Sequence, residues 1–210
     1  MTHMSNPWLT LPLDDYENHM KAKEVQQLGV LSDLFREVLA AKKPTSVAIL
    51  GVAGGNGIEH VDQGITKRIV GVDLNPRYLD TVHERFPSLP GLELVCADLA
   101  EGVLKIEPVE LVHVALLFEH TGLDRPLENA LSLIAEGGAL SVVLQLPSPT
   151  AANVGKSPVQ SILRLSSHFS LIDSALLCKR LCTRRFRQIS ETRRSLPGGK
   201  AFWMGIFVRE

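Results

Sequence analysis

A glycine-rich turn between two apolar segments, near residue 50, constrains the fold of this chain more than any other feature. Apolar residues 47–50 lead into the sequence GVAGGNG, and the next apolar segment ends at Asp73. Glycine lets the backbone approach a ligand where a Cβ atom would collide, and a carboxylate after the next strand can accept hydrogen bonds from a ribose diol. Together the two segments predict a nucleoside-binding site.

Apolar runs separated by helix-like segments indicate the fold class. The first five runs are nearly continuous in Val, Ile, Leu and Ala, as in strands buried on both faces of a parallel sheet, and two further strands are joined across the turn sequence LPGGK. We therefore expect a doubly wound α/β fold with a mostly parallel seven-stranded sheet, helices on both faces and a C-terminal antiparallel hairpin. The strands are predicted at residues 46–51, 68–73, 92–97, 109–117, 140–146, 186–195 and 202–209.

Helical periodicity predicts one long amphipathic helix before the first strand. It begins at Asp14 or Asp15 and ends within residues 40–44, because the residue before Pro44 is disfavoured in a helix. Asn56 and Gly57 are expected to open the helix after the first strand, so that its N-terminal amides face a carboxylate or another acceptor. The helices between and after the strands are predicted at residues 57–63, 76–86, 125–135, 159–167 and 172–182, with a brief turn at 99–103.

The length of the chain fits a single domain. With 210 residues, of which 45% are hydrophobic, the chain can bury one sizeable core. We divide the expected domain, residues 1–210, into an N-terminal arm and helix (1–44), a cofactor-binding core (45–146), a substrate-side loop with helices (147–183) and the hairpin (184–210). The proline-containing loop at 147–158 is longer than most connections and is expected to shape a substrate pocket.

Charge and hydropathy exclude several classes of partner. The net charge is −1 and the isoelectric point is about 6.7, so the chain as a whole carries no field that attracts nucleic acid or an anionic membrane. A basic cluster at residues 179–194 can contact RNA phosphates, but a solvated strand edge is the favoured interpretation. Neither a signal-peptide core nor an apolar segment of about 18 residues is present, so we expect a soluble, cytoplasmic protein.

The cysteines and histidines do not predict a metal site. Cys96, Cys178 and Cys182 lack the paired spacing of a zinc site, and we expect buried thiols instead. The histidines are scattered along the chain, without two that share the spacing of a metal-binding helix.

Further motifs follow the later strands. The glycine segment departs from the dinucleotide fingerprint Gly-x-Gly-x-x-Gly. Asp98 and Leu99 follow the third strand, where an acid can accept a hydrogen bond from an adenine amino group and a leucine can pack on the ring; alternatively, Asp98 only caps the turn that follows. With LGVAGGNG, VGVDLNP, CADLAEG, LLFEH and LIAEGGALSVV in this order, residues 45–146 resemble the class I S-adenosylmethionine (SAM)-dependent methyltransferases.

This resemblance implies SAM as the cofactor and assigns its surroundings. The glycine segment would surround the methionine moiety, Asp73 would hold the ribose, residues 97–99 would frame the adenine, and residues 117–120 would lie beneath the sulfonium. Tyr16 and His19 are candidates for a lid over the cofactor, with an ordinary surface helix end as the alternative, and Trp8 is similar. The expected cofactor-binding residues are therefore Gly51, Val52, Ala53, Gly55, Asn56, Gly57, Asp73, Leu74, Asp98, Leu99, Leu117, Phe118, Tyr16 and His19.

His120 and Glu119 are the candidate catalytic residues. A histidine with a near-neutral pKa suits the deprotonation of a hydroxyl or amine, although His120 can instead contact the cofactor or seal the fold. A sulfonium already carries the driving force for methyl transfer, so the protein needs mainly to align a nucleophile and exclude water. The Pro-Pro-aromatic signature of amino-nucleobase methylation is missing after the fourth strand, which favours a small-molecule acceptor.

Three departures from the family pattern leave alternatives open. Ile49 stands where the first strand commonly carries an acid, Gly54 where a Thr or Ser is usual, and Glu136 where a proline is usual. Ile49 motivates the alternative of a noncatalytic SAM-binding or regulatory protein. An NAD(P)-dependent oxidoreductase is the second alternative, but its third glycine and its catalytic Tyr/Lys or His pair cannot be placed. Both a monomer and a homodimer are compatible with the sequence.

Overall fold

The computed structural model describes residues 6–154 and 160–210, and seven strands within them form one sheet. The predicted α/β class, the C-terminal hairpin and the helices on both faces are confirmed. The strands are β1 (Ser46–Leu50), β2 (Arg68–Asp73), β3 (Leu92–Cys96), β4 (Val109–Ala115), β5 (Ile134–Gln145), β6 (Phe186–Ser195) and β7 (Ala201–Arg209).

The strand order is β3-β2-β1-β4-β5-β7-β6. The first five strands are parallel, and β7 pairs antiparallel with both β5 and β6. In β1, Val47 pairs with Ile69 of β2 on one side and Leu111 of β4 on the other. After β3 the chain therefore returns across the sheet to β4, and the crevice beside β1 at this switch point is where open α/β sheets bind ligands.

Helices cover the two faces of the sheet. Phe35 and Val38 of the second helix and Val82 of the third pack on one face, whereas Leu127 and Leu177, from later helices, pack on the other. Each cluster buries one face of the apolar strands. The helices are α1 (Leu13–Lys21), α2 (Gln27–Lys42), α3 (Pro76–Arg85), α4 (Phe118–Thr121), α5 (Arg125–Ser132), α6 (Gln160–Leu165) and α7 (Ser174–Cys182).

The prediction of one long N-terminal helix was wrong. The chain forms α1 and α2, and the segment between them includes Gln26 in the left-handed conformation with φ of 46°. The break contains no glycine or proline, so no local signal marks it. Tertiary contacts favour it instead, because α1 lies over the glycine-rich turn while α2 packs on the sheet.

The predicted helix at residues 57–63 was also wrong. Only a single 3-10 turn, Ile58–His60, forms there, and Gly57 has φ of +94°. Glu59 accepts a hydrogen bond from the Gly57 amide at 2.9 Å, and Ser32 of α2 contacts His60 at 2.9 Å. Asn56 and Gly57 therefore open no α-helix, and the expected cluster of helix N-terminal amides is not formed at this turn.

Smaller differences concern the ends of helices and strands and one additional short helix. Residues Phe118–Thr121 form the short helix α4, which the sequence analysis did not predict, and β5 begins at Ile134, before the predicted start. The helix predicted at 159–167 is observed as α6 followed by the 3-10 turn Ser166–His168. Residue 159 and residues 155–158 of the predicted substrate-side loop lie outside the described residues.

Two surface predictions have different outcomes. The thiols were expected to be buried, but Cys96 and Cys182 are exposed and Cys178 is half-buried. The part of the basic cluster on β6 does lie at a sheet edge, since β6 is the outermost strand, whereas Arg180 belongs to α7. Five arginines of the cluster pair with acids, and Arg180 lies 2.7 Å from Asp124. Other pairs within this surface are Arg184–Glu128, Arg187–Glu210, Arg193–Glu191 and Arg194–Glu37.

None of the helices in residues 6–154 and 160–210 has the length and apolar character needed to cross a membrane.

Candidate active site

A cleft of about 190 Å³ lies where β1, β2, β3 and β4 end. Its walls bring together the start of the glycine-rich turn, the end of β2 and the segments after β3 and β4. Predicted site residues that line this cleft are Tyr16, Gly51, Ala53, Asp73, Leu74, Asp98, Leu99, Leu117 and His120. Predicted site residues that do not line it are His19, Val52, Gly55, Asn56, Gly57, Phe118 and Glu119.

The glycine-rich turn reverses sharply at the floor of the cleft. Gly51 has φ of +74° and Ala53 has φ of +47°, and the amides of Gly51 and Val52 both donate to the Val72 carbonyl, at 2.8 and 3.0 Å. Only glycine adopts the first of these conformations without strain. Gly51 and Ala53 therefore line the cleft without a bulky side chain, whereas Val52 is buried behind them.

Two further glycines of the turn, Gly55 and Gly57, allow close packing. A Cβ atom at Gly55 would lie 2.9 Å from the ring of Phe86, and one at Gly57 would lie 2.8 Å from the ring of Phe35. Real Cβ atoms do not approach carbon this closely, so each glycine allows an aromatic ring to close over the turn. Gly55 and Gly57 therefore act through the packing of the turn and do not line the cleft.

Asp73 joins the turn to the segment after β2. Its Oδ2 accepts from the Ala53 amide at 2.9 Å and its Oδ1 accepts from the Asn75 amide at 2.9 Å. Burial raises the pKa of this carboxyl, although the backbone hydrogen bonds oppose the increase. Each carboxylate oxygen can accept a second hydrogen bond, so Asp73 keeps capacity for hydroxyl donors in the cleft.

An ion pair covers the turn at Gly54. Arg85 of α3 donates to the Gly54 carbonyl at 2.8 Å and to Glu17 of α1, and Lys21 donates to the same carboxylate at 3.1 Å. A Cβ atom at residue 54 would overlap Glu17 and Arg85. A larger residue at this position would therefore displace the ends of these two side chains and disturb the ion pair.

Of the two roles that the sequence left open for Asp98, the structure shows the cap, and the adenine-binding role stays a prediction. Its Oδ1 accepts from the Ala100 amide at 2.8 Å, so it caps the following turn, and it also lines the cleft. Leu99 lines the cleft and is 4% exposed. The Leu99 carbonyl accepts from the Asn129 side chain at 2.9 Å, which fixes this segment to α5.

A second, smaller cavity of about 60 Å³ adjoins the cleft. Trp8, Tyr16, Leu116 and His120 line both spaces and therefore form their shared border. The Trp8 and His120 rings meet edge to face with centroids 4.8 Å apart, and Phe169 contacts the other side of His120 at 5.2 Å. This aromatic cluster holds the border in place.

The arm that carries Trp8 is fixed to the end of β2. Asn75 donates from its side-chain amide to the Trp8 carbonyl at 2.8 Å, and the Tyr78 hydroxyl donates to the Leu11 carbonyl at 2.9 Å. Since the Asn75 backbone amide also donates to Asp73, one short network connects the arm to the carboxylate in the cleft.

The smaller cavity is organised around Gln145, at the end of β5. The Gln145 side chain is buried; its Oε1 accepts from Gln27 at 3.3 Å and from Lys200 at 3.4 Å, and its Nε2 donates to the Asn153 carbonyl at 2.8 Å. His19 also lines this cavity, so it lies on the side away from the cleft. Its pKa is lowered by burial and by the nearby Lys200.

His120 differs from the expected near-neutral base. Burial lowers the pKa of its imidazole to about 4, so the ring is uncharged near pH 7. Its Nδ1 and the Trp8 Nε1 are buried without a hydrogen-bond partner among the described residues. Buried polar atoms are rarely left unpaired, so both atoms at the border are available to a ligand.

Glu119 lies behind the border. It is 1% exposed and lines neither space; its Oε1 accepts from the Gln145 amide at 2.7 Å. Burial raises the pKa of this carboxyl to about 7. Glu119 therefore fixes the end of β5, and the geometry gives it no direct path to a bound molecule.

Sequence reasoning missed Gln27, Gln145, Asn153, Lys200 and Leu116. Leu116 has a left-handed backbone conformation with φ of 53°, a feature that is visible only in the structure. The sequence signal for Lys200 was its position in the turn sequence LPGGK. Because the hairpin pairs with β5, this turn lies at the end of β5.

Comparison with family models finds no match, and comparison with curated protein sequences finds none either. Solved structures do match. The N-methyltransferase NodS from Bradyrhizobium japonicum, in complex with S-adenosyl-L-homocysteine (SAH), is 14% identical, with 98% of this chain and 99% of that chain covered and a TM-score of 0.66. The magnesium protoporphyrin IX methyltransferase ChlM from Synechocystis, with bound SAM, is 11% identical over 100% of both chains, with a TM-score of 0.72.

A similar structure with a different activity is the [4+2]-cyclase SpnF, which is 12% identical, with 90% of this chain and 83% of that chain covered and a TM-score of 0.67. Identities this low report on the fold and not on the chemistry. The matches extend over nearly the whole chain and agree with the strand order and the antiparallel C-terminal pair. The chain therefore has the fold of the class I SAM-dependent methyltransferases.

Proposed function

We propose that this protein is a SAM-dependent methyltransferase that acts on a small molecule. The observation that carries the proposal is the pair of adjoining spaces at the switch point of the sheet, which share the border formed by Trp8, Tyr16, Leu116 and His120. A group-transfer enzyme needs two neighbouring sites of this kind, one for the donor and one for the acceptor.

The residues of the larger cleft fit SAM. The bare backbone of Gly51 and Ala53 accommodates the methionine moiety, and Asp73 offers free acceptor capacity to the ribose hydroxyls. Leu99 supplies apolar surface for the adenine, and Asp98 is available to its amino group. The Ile49 departure is compatible with this fit, because Ile49 is buried and does not line the cleft.

When bound, SAM would supply a methyl group on a sulfonium, which the acceptor atom would take up as the carbon–sulfur bond breaks, with SAH and the proton of the acceptor as the other products. The protein aligns the acceptor with the methyl group and excludes competing water from the border. His120 is uncharged and offers Nδ1 as a hydrogen-bond acceptor to the attacking hydroxyl or amine. With a pKa of about 4, it orients that group and is only a weak base.

The size of the smaller cavity supports a small acceptor. A dry cavity of about 150 Å³ accommodates benzene, and this one measures about 60 Å³. It admits a few carbon atoms with a polar group, or the end of a larger molecule that projects outward.

Isothermal titration calorimetry with SAH and with NAD tests the cofactor. We expect saturable SAH binding and no NAD binding; the reverse result would support an oxidoreductase. Transfer of a labelled methyl group from SAM to a panel of small hydroxyl and amine acceptors then tests the reaction. Absence of SAH binding contradicts the proposal outright.

A SAM-binding protein without methyl transfer is the second candidate. The SpnF match favours keeping it, since that protein is described as a cyclase on the same fold. Tight SAH binding without methyl transfer to any acceptor in the panel would support this candidate.

A further inference from the structure

Lys200 is a cation in the wall of the smaller cavity. It precedes β7 at the end of the hairpin turn and is half-buried. Its Nζ donates to the Asn153 carbonyl at 2.7 Å and to Gln145 Oε1 at 3.4 Å. An ammonium has three N–H donors, so one remains for a molecule in the cavity.

No carboxylate of the protein neutralises this cation. The described residues that line the cavity include no Asp or Glu, and Lys200 forms no ion pair within residues 6–154 and 160–210. The remaining sequence segments, MTHMS and GKSPV, contain no acidic residue. A half-buried ammonium has lost part of its hydration, and a negative ligand would offset that loss at this position.

The other groups around Lys200 limit the charge of that ligand. Burial lowers the pKa of His19 and of His120, so both rings are uncharged at neutral pH. Among the described lining residues, Lys200 therefore contributes the single positive charge. One cation matches a monoanion such as a carboxylate better than a phosphate dianion.

We propose that the methyl acceptor is a small carboxylic acid whose carboxylate pairs with Lys200 while its nucleophilic atom lies at the border beside His120. This inference rests on the proposed function, because it assigns the smaller cavity to the acceptor. Lys200 lines only the smaller cavity, whereas His120 and Trp8 line both, so the carboxylate lies away from the methyl donor. Gln27 and Gln145 are positioning residues that hold the Lys200 ammonium.

The test uses the SAH-loaded protein and two small probes of equal shape, butyrate and butyramide. NMR titration at millimolar concentrations gives both dissociation constants. We expect butyrate to bind at least about tenfold more tightly than butyramide, since a charge-assisted hydrogen bond is available only to the acid. Lys200→Met should remove this difference, and Lys200→Arg, which keeps the charge, should retain most of it.

Lys67→Met is the matched control. Lys67 is exposed and precedes β2 at the amino ends of the parallel strands, whereas the cleft lies at their carboxyl ends, so its loss should leave the butyrate preference unchanged. SAH affinity should remain within about twofold in Lys200→Met, because Lys200 does not line the larger cleft.

The outcomes separate the two proposals. If SAH does not bind, the proposed function fails and the acceptor assignment fails with it. If SAH binds but butyrate and butyramide bind equally, or if Lys200→Met keeps the preference for butyrate, the carboxylate inference alone is overturned. Tighter binding of methyl phosphate than of butyrate would also overturn it.

Discussion

The two spaces on either side of Trp8 and His120 are built by different means. The larger cleft presents backbone and a carboxylate, from Gly51 and Asp73, whereas the smaller cavity presents side-chain donors, from Gln27 and Lys200. The first is suited to hydroxyl donors on a ligand and the second to an anion.

Because of this difference, we expect the two sites to respond separately to substitutions. The cleft depends on local conformation at the ends of neighbouring strands, while the smaller cavity depends on contacts between segments that are distant in sequence. Gln27 and Gln145, for example, meet across the fold at 3.3 Å. Substitutions on one side should therefore leave the other largely intact, and the following predictions test that separation.

The largest effect is expected for Asp73→Ala. The variant loses the acceptor for ribose hydroxyls and leaves the amides of Ala53 and Asn75 without a partner. A hydrogen bond to a charged group contributes about 1.5–3 kcal/mol, so SAH affinity should fall roughly 10- to 150-fold by calorimetry. The preference for butyrate at saturating SAH should persist.

Asp80→Ala is the control for this variant, since Asp80 is exposed on α3. Urea unfolding of both variants separates loss of stability from loss of affinity. Unchanged SAH binding in Asp73→Ala would contradict the role assigned to this carboxylate.

His120→Phe should act on turnover more than on binding. The ring can keep its contacts with Trp8 and Phe169, but Nδ1 is lost. We expect about a tenfold slower methyl transfer in single-turnover measurements, with SAH affinity within about threefold of the parent.

The pH dependence of the methyl-transfer rate tests whether the Nδ1 atom of His120 is the cause of the slower transfer. Because the pKa of His120 is lowered to about 4, its Nδ1 accepts hydrogen bonds at neutral pH. It becomes protonated, and can no longer accept, as the pH falls through about 4. The rate should therefore show no titration of His120 between about pH 6 and 8. His83→Phe, at an exposed position of α3, is the control; an equal loss of rate in both variants would argue against a local role for His120.

Glu17→Gln should weaken the fold near the glycine-rich turn by about 1 kcal/mol at pH 7. Burial raises the pKa of Glu17, but hydrogen bonds from Arg85 and Lys21 outweigh this and lower it below the usual value. A carboxyl with a lowered pKa in the folded state adds stability above its unfolded pKa, near 4.3, and loses it as the pH falls through the folded value.

Urea unfolding of Glu17→Gln at pH 7 and below pH 4 measures this prediction. The difference from the parent should be present at pH 7 and shrink in acid. Glu84→Gln, at an exposed position of α3, provides a control. A difference that is independent of pH would mean that the ion pair over Gly54 does not stabilise the turn.

The smallest effect is expected for Arg184→Gln on the basic edge of the sheet. The side chains of Arg184 and Glu128 are 35% and 50% exposed, so their ion pair should contribute less than about 0.5 kcal/mol. Neither SAH affinity nor the preference for butyrate should change. A shift in either would show that this edge is coupled to the cavities.

Much of the fold follows from local patterns. The bounds of β2 were predicted correctly because its apolar residues are continuous and end at Asp73, and α3 begins at Pro76 after Asn75, whose side chain accepts from the Arg77 amide at 3.1 Å. The turn LPGGK likewise marked the hairpin. In each case the signal lies within a few residues of the element it defines.

The errors arose where distant contacts decide the structure. Residues 57–63 have helical periodicity, but Phe35 of α2 packs directly on Gly57 and only a single 3-10 turn remains. The break before Gln27 has no local signal either. For the same reason the positions of Gly51 and Asp73 at the cleft could be predicted, whereas Lys200 and Gln145 become neighbours only through the pairing of β5 with β7.

The arm that carries Trp8 has a consequence for the timing of the reaction. The Trp8 carbonyl is held by Asn75, and the residue lines both spaces. Detachment of this one segment would open both compartments to solvent, so product and spent donor would exchange through a common gate. We therefore expect release, governed by that gate, to set the pace of repeated cycles.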